Sequence, residues 1–251
     1  MMSKETTDTL GNQKKTNYAL RPDMTEDEFV NELLNGLTTP PAYFPKNVLM
    51  NIQGYESLDT IMHRGKIALS LDDFEKLSAN KDILLLDTRR AEDFAKGFIP
   101  NSINIGLESN FAMWVGELID NIKQKILLIT YPGKVEESII RLSRVGYDYV
   151  IGYLEGGFDA WLNANKKIEL INRITAQELS HEIQNNNKLL IDVRKKSEFN
   201  AEHVIDAINI PLNEISKRLN EFPKDKPFVL NCAGGYRSII AASILKQNGF
   251  S

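Results

Sequence analysis

The chain holds one cysteine, Cys232, among 251 residues, and three histidines, His63, His181 and His203. One cysteine excludes an internal disulfide framework and a cysteine-rich zinc site, and histidines so far apart offer no metal-ligand spacing. No apolar run approaches the ~18 residues of a membrane helix. The run Ile83 to Leu86 is bracketed by Asp82 and Asp87. The N-terminus, Met-Met-Ser-Lys-Glu-Thr-Thr-Asp, lacks the apolar core of a secretory signal. A basic excess is missing too: 30 Lys+Arg face 34 Asp+Glu, a net charge of -4, which leaves no strongly positive field for a nucleic-acid backbone. Fifteen glycines and nine prolines exclude collagen-like or low-complexity character. These absences describe a cytoplasmic protein with no membrane and no nucleic-acid partner. In a reducing compartment a lone cysteine is either a buried apolar filler or a working thiol.

What the chain does contain is a repeat. Leu84-Leu85-Leu86-Asp87-Thr88-Arg89 recurs 105 positions later as Leu189-Leu190-Ile191-Asp192-Val193-Arg194, and Ser102-Ile103-Asn104-Ile105 recurs as Ala207-Ile208-Asn209-Ile210. Glu92-Asp93-Phe94 and Glu198-Phe199 follow their strands at nearly the same distance. The period exceeds that of any solenoid and equals a small domain. The expected organisation is an arm over residues 1–65, a first copy over 66–170 and a second over 171–251.

Each copy alternates short, uniformly apolar strands with helices. In copy one the expected elements are strand 83–86, helix 111–119, strand 126–130, a helix near 136–145, strand 149–153 and a last helix carrying Trp161. In copy two they are a helix opening on the capping box Thr175-x-x-Glu178, strand 189–191, helix 212–219, strand 228–231 and a final helix from about Ser238 to Gln247. This pattern predicts an α/β fold, with a mainly parallel sheet in each copy flanked by helices on both faces. In the arm, Thr25-x-x-Glu28 opens a helix with Phe29, Val30, Leu33, Leu34 and Leu37 on one face, which Pro40-Pro41 stops.

The chemistry centres on Asn231-Cys232-Ala233-Gly234-Gly235-Tyr236-Arg237-Ser238, between an apolar strand and a helix. A strand-to-helix turn points several backbone N–H groups into one cup at the positive end of the helix dipole. The two glycines allow the backbone angles such a cup needs. A thiol at its base is expected to ionise more readily than a free cysteine. The cup, lined by Ala233, Gly234, Gly235, Tyr236 and Ser238, can hold a second sulfur or an oxyanion, and Arg237 can pair with an anionic donor.

At this loop the chain resembles the rhodanese family, with two copies of the scaffold. Copy two has Asp192-x-Arg194, Glu198-Phe199, Ala207-x-Asn209-Ile210-Pro211 and the string from Cys232 to Ser238. Copy one matches the non-catalytic parts: Asp87-x-Arg89, Glu92, Gly97-x-Ile99-Pro100 and Leu154-x-Gly156-Gly157 with Trp161. The resemblance implies that Asp192, Arg194, Glu198 and His203 hold the scaffold, while Cys232 and Arg237 do the chemistry. Copy two reads Glu202-His203-Val204-Ile205-Asp206 where the family usually has Gly-His-Ile-Pro-Gly. Copy one's equivalent loop, Thr130 to Val135, has no cysteine and is expected to be shorter, so copy one reads as a degenerate domain packed against copy two. Copy two stops just past Gly249, before the last strand, Gly-Gly turn and helix that copy one has, so the natural chain is expected to continue for roughly fifteen to twenty residues.

Asn17-Tyr18-Ala19-Leu20, the Glu28-Phe29 helix and Pro40 to Pro45 resemble the C-terminal edge of a metallo-β-lactamase-fold domain. In bacterial fusions such a domain precedes two rhodanese domains and acts as an iron-dependent persulfide dioxygenase. The implied partner is that domain in a parent chain, and iron would belong to it alone. This chain lacks its histidine-rich motif and is expected to carry no cofactor or metal of its own. A homo-oligomer stays open at this stage.

The implied reaction moves sulfane sulfur from thiosulfate or a low-molecular-weight persulfide, through a Cys232 persulfide, to sulfite, cyanide or a thiol. Two alternatives stand beside it. A sulfur-carrying or docking module would bind sulfur without turnover. A cysteine phosphatase on the same fold would need Cys-x5-Arg, and here Cys232 and Arg237 are one residue closer.

Overall fold

The computed structural model describes residues 7–20, 22–35, 43–108, 110–186 and 188–250, without the side chains of 183–186. The chain divides into two compact units, Met1–Pro40 and Pro41–Ser251. The first holds α1 (Leu10–Thr16), a 3-10 turn (Tyr18–Leu20) and α2 (Glu26–Leu34). The capping box of α2 is closed: Glu28 N–H donates to Thr25 Oγ1 at 3.3 Å and Thr25 N–H donates to Glu28 Oε2 at 2.9 Å. The helix stops at Leu34, and Leu37 and Pro40-Pro41 lie outside the described residues.

In the second unit α3 (Phe44–Gln53), α4 (Leu58–Gly65), β1 (Ala68–Leu69) and α5 (Leu71–Ser78) lead into copy one. Copy one continues β2 (Ile83–Asp87), α6 (Ala91–Lys96), β3 (Ile103–Asn104), α7 (Phe111–Leu118), β4 (Lys125–Ile129), α8 (Val135–Ser143), β5 (Val150–Leu154) and α9 (Gly157–Asn163). Its five strands are all parallel, in the order β1-β5-β4-β2-β3. On central β4, Ile126 through Ile129 are each 0% exposed. Only a sheet covered on both faces accepts four consecutive apolar side chains. Helix α4 packs on α8 and β5 with Ile61 buried.

Copy two contains α10 (Ala176–Asn186), β6 (Leu189–Asp192), α11 (Lys196–Ala201), β7 (Ile208–Asn209), two 3-10 turns (Leu212–Lys217 and Leu219–Glu221), β8 (Phe228–Asn231) and α12 (Tyr236–Gln247). Its parallel sheet has the order β7-β6-β8. The expected α-helix at 212–219 is instead the pair of 3-10 turns. The residues it must bury, Leu212 and Ile215, are three apart, and three residues per turn stack them on one line. Strand β8 is the counterpart of β4, yet all its residues are partly exposed, because β6 is its one strand partner among the described residues.

The same latch closes both copies. Arg89 Nε and Nη2 donate to the Asp87 carboxylate at 2.6–3.0 Å, and Arg194 repeats this on Asp192 at 2.7–3.1 Å. Asn104 Nδ2 donates to the carbonyls of Asp87 and Arg89, and Asn209 Nδ2 to those of Asp192 and Arg194. The turn at Glu202–Asp206 repeats the backbone of copy one, placing Asp206 at φ 63° as copy one places Asn101 at φ 65°. Short Asn and Asp side chains tolerate this left-handed region best after glycine.

Helix α12 joins the copies. It buries Ile239, Ile240, Ala241, Ser243, Ile244 and Leu245, more than one stripe's worth, which marks a helix covered on several sides. It packs on β8 and the first 3-10 turn of its own copy and on β3 and α6 of copy one. A single apolar cluster therefore includes Leu86, Ile103 and Ile105 together with Ile191, Ile210 and Ile240. At the contact, buried Asn104 N–H on β3 donates to Ser243 Oγ at 3.0 Å, and Ser243 donates to Ile240 O at 2.7 Å. Replacing Ser243 with Ala strands a buried edge N–H. S243A is expected to lower unfolding stability by about 1–3 kcal/mol in chemical denaturation, and an unchanged midpoint would show that the contact is not formed in solution.

Candidate active site

Cys232 follows β8 directly and lies partly buried at the head of α12. Gly235 N–H donates to its Sγ at 3.2 Å and Ser238 N–H at 3.4 Å, while the thiol reaches Ser238 Oγ at 3.6 Å. Two backbone donors and the positive end of a 12-residue helix thus face the sulfur. Such a cradle can hold negative charge on Cys232 or on an atom bonded to it. Of the two glycines only Gly235 needs its freedom, at φ 85°. Gly234 is outside the left-handed region and a Cβ there would meet open space. Ala233 and Gly234 are exposed and form the open rim.

Arg237 is engaged with the protein rather than held open for a donor. Its Nη1 and Nη2 donate to Glu198 Oε2 and Oε1 at 2.6 and 2.9 Å. Glu198 also accepts Lys195 N–H, at the start of α11, at 3.2 Å. The Arg237 guanidinium, and with it the Lys195 N–H, holds the Glu198 carboxyl down at about 2. Glu198, expected among the scaffold residues, therefore touches the active-site loop. Asp192 and Arg194 form the latch described above. His203 Nδ1 is hydrogen-bonded to Phe199 O at 2.8 Å and its ring stacks on Phe199 at 3.9 Å, away from the loop's contacts.

Tyr236 points out of its own copy. Its hydroxyl donates to Gly106 O of copy one at 2.9 Å, and its ring packs against the buried cluster of Phe94, Phe98 and Ile239. Burial pushes the phenol well above its ordinary range, so it stays a donor at neutral pH. Copy one thus supplies an anchor for the Cys232 loop, one residue from the glycine that faces the sulfur.

The register of the sheets makes Thr130 the counterpart of Cys232: Ile129 and Asn231 close their strands at the same point, accepting from Thr88 N–H and Val193 N–H respectively. Copy one's connection from strand to helix, Thr130–Lys134, is one residue longer than copy two's, Cys232–Gly235, and not shorter as expected. The extra residue accommodates Tyr131, whose hydroxyl donates to Asp93 at 2.6 Å and accepts from Arg90 N–H at 3.2 Å. Desolvation and the Asp93 carboxylate push that phenol up to about 12. Lys134 is paired with Glu137 at 2.8 Å. Both polar side chains of this loop are taken up inside copy one. Asp93 and Glu198 occupy equivalent positions, so each copy pins its loop with the same acidic site, by Tyr131 in one and Arg237 in the other. The 105-residue offset between Asp93 and Glu198 is the sequence signal that could have revealed this.

Among the described residues no helix is long and apolar enough to cross a membrane, and no three His, Cys, Asp or Glu side chains gather where they could hold a metal ion.

Copy two is thus a parallel α/β domain with a thiol cradled at a strand-to-helix junction, beside a second copy of the same scaffold without the thiol. The family model for the rhodanese-like domain matches residues 70–164 and 175–251, and the chain belongs to that family. It is 33% identical over 82 residues to a sulfurtransferase of Allochromatium vinosum, covering 32% of this chain and 77% of that protein. It is 47% identical over 60 residues to YqhL of Bacillus subtilis, covering 24% of this chain and 48% of that protein. The chain thus spans about half the length of that relative. A Staphylococcus aureus structure described as a metallo-β-lactamase is 26% identical, with a TM-score of 0.46, over 59% of this chain and 40% of that one.

The Glu198–Arg237 pair yields a pH signature. A carboxyl held near 2, below its ordinary 4.5, contributes stability that is present above the ordinary value and is lost as pH falls through about 2. Glu198 is 37% exposed, so the contribution is about 1 kcal/mol or less after solvent screening. E198Q is expected to be less stable than the parent at pH 7, with the gap narrowing between about pH 4.5 and 2. Denaturant melts across that range check it, and a gap independent of pH would rule out the ion pair as its source.

Proposed function

We propose that this chain is a rhodanese-type sulfurtransferase in which Cys232 carries sulfane sulfur from thiosulfate or a low-molecular-weight persulfide to sulfite, cyanide or a thiol. The observation that carries the reading is the pair of N–H donors, from Gly235 and Ser238, aimed at the Cys232 sulfur. In the first half-reaction the thiolate attacks the outer sulfur of thiosulfate. A new S–S bond forms at Sγ, the bond to the sulfonate breaks, and its electron pair leaves with sulfite. Cys232 is left as a persulfide anion, whose charge the cradle accommodates. In the second half-reaction the acceptor attacks the terminal sulfur and the electron pair of the broken bond returns to Cys232. No second cysteine exists in the chain, so the acceptor comes from outside it.

The arm's resemblance to the edge of a metallo-β-lactamase-fold domain supports a place for this chain beside a persulfide dioxygenase in sulfide detoxification, in the cytoplasm. Sulfite made by such a domain would be the natural acceptor. Any iron belongs to that domain.

Intact-mass measurement after incubation with thiosulfate is expected to show one added sulfur, absent in C232S, and lost on addition of cyanide with formation of thiocyanate. Uptake without transfer to sulfite, cyanide or a thiol would make the chain a carrier. No uptake at all would overturn the proposal.

A further inference from the structure

Two arginines stand on the Cys232 side of copy two, and both are spoken for: Arg194 by Asp192 and Arg237 by Glu198. A donor such as thiosulfate brings a doubly charged anion to this thiol, and the Nη groups of Arg237 and the Nε and Nη2 groups of Arg194 are already engaged within the protein. A third arginine is not. Arg173 lies in the connection between the copies, where the chain has no regular secondary structure. Its Nη2 lies 3.7 Å from the point where a Cβ on Gly235 would stand. Among the described residues Arg173 has no hydrogen-bond or ion-pair partner, and it is exposed.

The placement has a structural cause. Phe98 and Glu169 exchange backbone hydrogen bonds at 3.0 Å, and Ile171 N–H donates to Ala95 O at 3.0 Å, so the connection is tied to copy one just before Arg173. Ile171 and Tyr236 both pack against the buried cluster around Phe94 and Phe98, and Arg173, two residues on from Ile171, reaches Gly235, the neighbour of Tyr236 in the loop. Gly235 neighbours both groups: its N–H faces Sγ at 3.2 Å, and the guanidinium lies by the position its Cβ would take. The rim beside it, Ala233 and Gly234, is exposed and leaves the approach open.

We propose that Arg173, contributed by the connection between the copies, receives the anionic end of the sulfur donor at Cys232 and gives the site its preference for oxyanion-bearing donors. This rests on the sulfur-transfer reading of Cys232 and names its substrate class. Arg237 then orders the loop through Glu198, and Arg173 meets the substrate. A planar guanidinium offers paired donors to two sulfonate oxygens, which the cradle's N–H groups, occupied with sulfur, do not supply.

The test uses two reagents that attack the same thiol and differ in charge, iodoacetate and iodoacetamide, so that their rate ratio cancels any change in the thiol itself. In R173Q the iodoacetate-to-iodoacetamide ratio is expected to fall about three- to fivefold at low salt, the range set by one solvent-exposed charge interaction. The difference should shrink at high salt, and R173K should retain most of the parent ratio. With thiosulfate, R173Q should raise KM by a similar factor and leave kcat nearly unchanged. A ratio that is the same in the parent and R173Q would overturn the assignment even if the protein transfers sulfur. A ratio that falls in R173Q while the parent takes up no sulfur would keep Arg173 as the anion-reading group and overturn the sulfur-transfer reading instead.

Discussion

Helix α12 is buried between its own sheet and the edge of copy one, and the position of the thiol follows from that burial. Each large apolar side chain removed from water here is worth roughly 1.5–3 kcal/mol, and Ile239, Ile240, Ile244 and Leu245 are all buried. A helix held this firmly cannot shift its first turn without disturbing both copies. The first turn carries Ser238 N–H, and the residue before it carries Gly235 N–H, the two groups that face Sγ. The cradle is preorganised because the helix behind it is a core element of the whole second unit. Tyr236 adds a directed bond across the copies at the place where the loop becomes helix.

Copy one has no thiol and carries structural duties. Thr130 stands where Cys232 stands in copy two, with Ser138 Oγ 3.5 Å from its hydroxyl, as Ser238 Oγ is 3.6 Å from the sulfur. The acidic position before the loop persists as Asp93 and Glu198, and only its partner has changed. A tyrosine there closes the loop on itself. An arginine there braces the loop from the side and leaves the rim open. The same acid thus serves a closed loop and an open one, and the identity of its partner decides which.

Much of this was legible in the residues. Short, uniformly apolar runs ending in Asp at β2 and β6, and the Asp-x-Arg there, announce parallel strands and their latch, because a strand buried on both faces has no room for alternation. The Cys232 string between a strand and a helix announces a cradle because such a turn points backbone N–H groups into one cup. Other features escaped. The spacing at Leu212–Leu219 fits an α-helix as well as 3-10 turns until the partners of Leu212 and Ile215 are known. Glu198 falls within the scaffold pattern, and its place at the loop depends on Arg237, 39 residues away in the chain.

The sequence by itself determined the duplicated α/β scaffold, the location of the one thiol and the kind of loop that holds it, since these depend on local pattern and on residue chemistry. Only the tertiary structure decided which charges are free. Arg237 looks available in the string Cys232 to Ser238 and is bound to Glu198. Arg173 looks like part of a linker and stands, unpaired among the described residues, beside Gly235. Pairing of charges is set by distances across the fold, and distances between residues far apart in sequence exist only once the chain has packed.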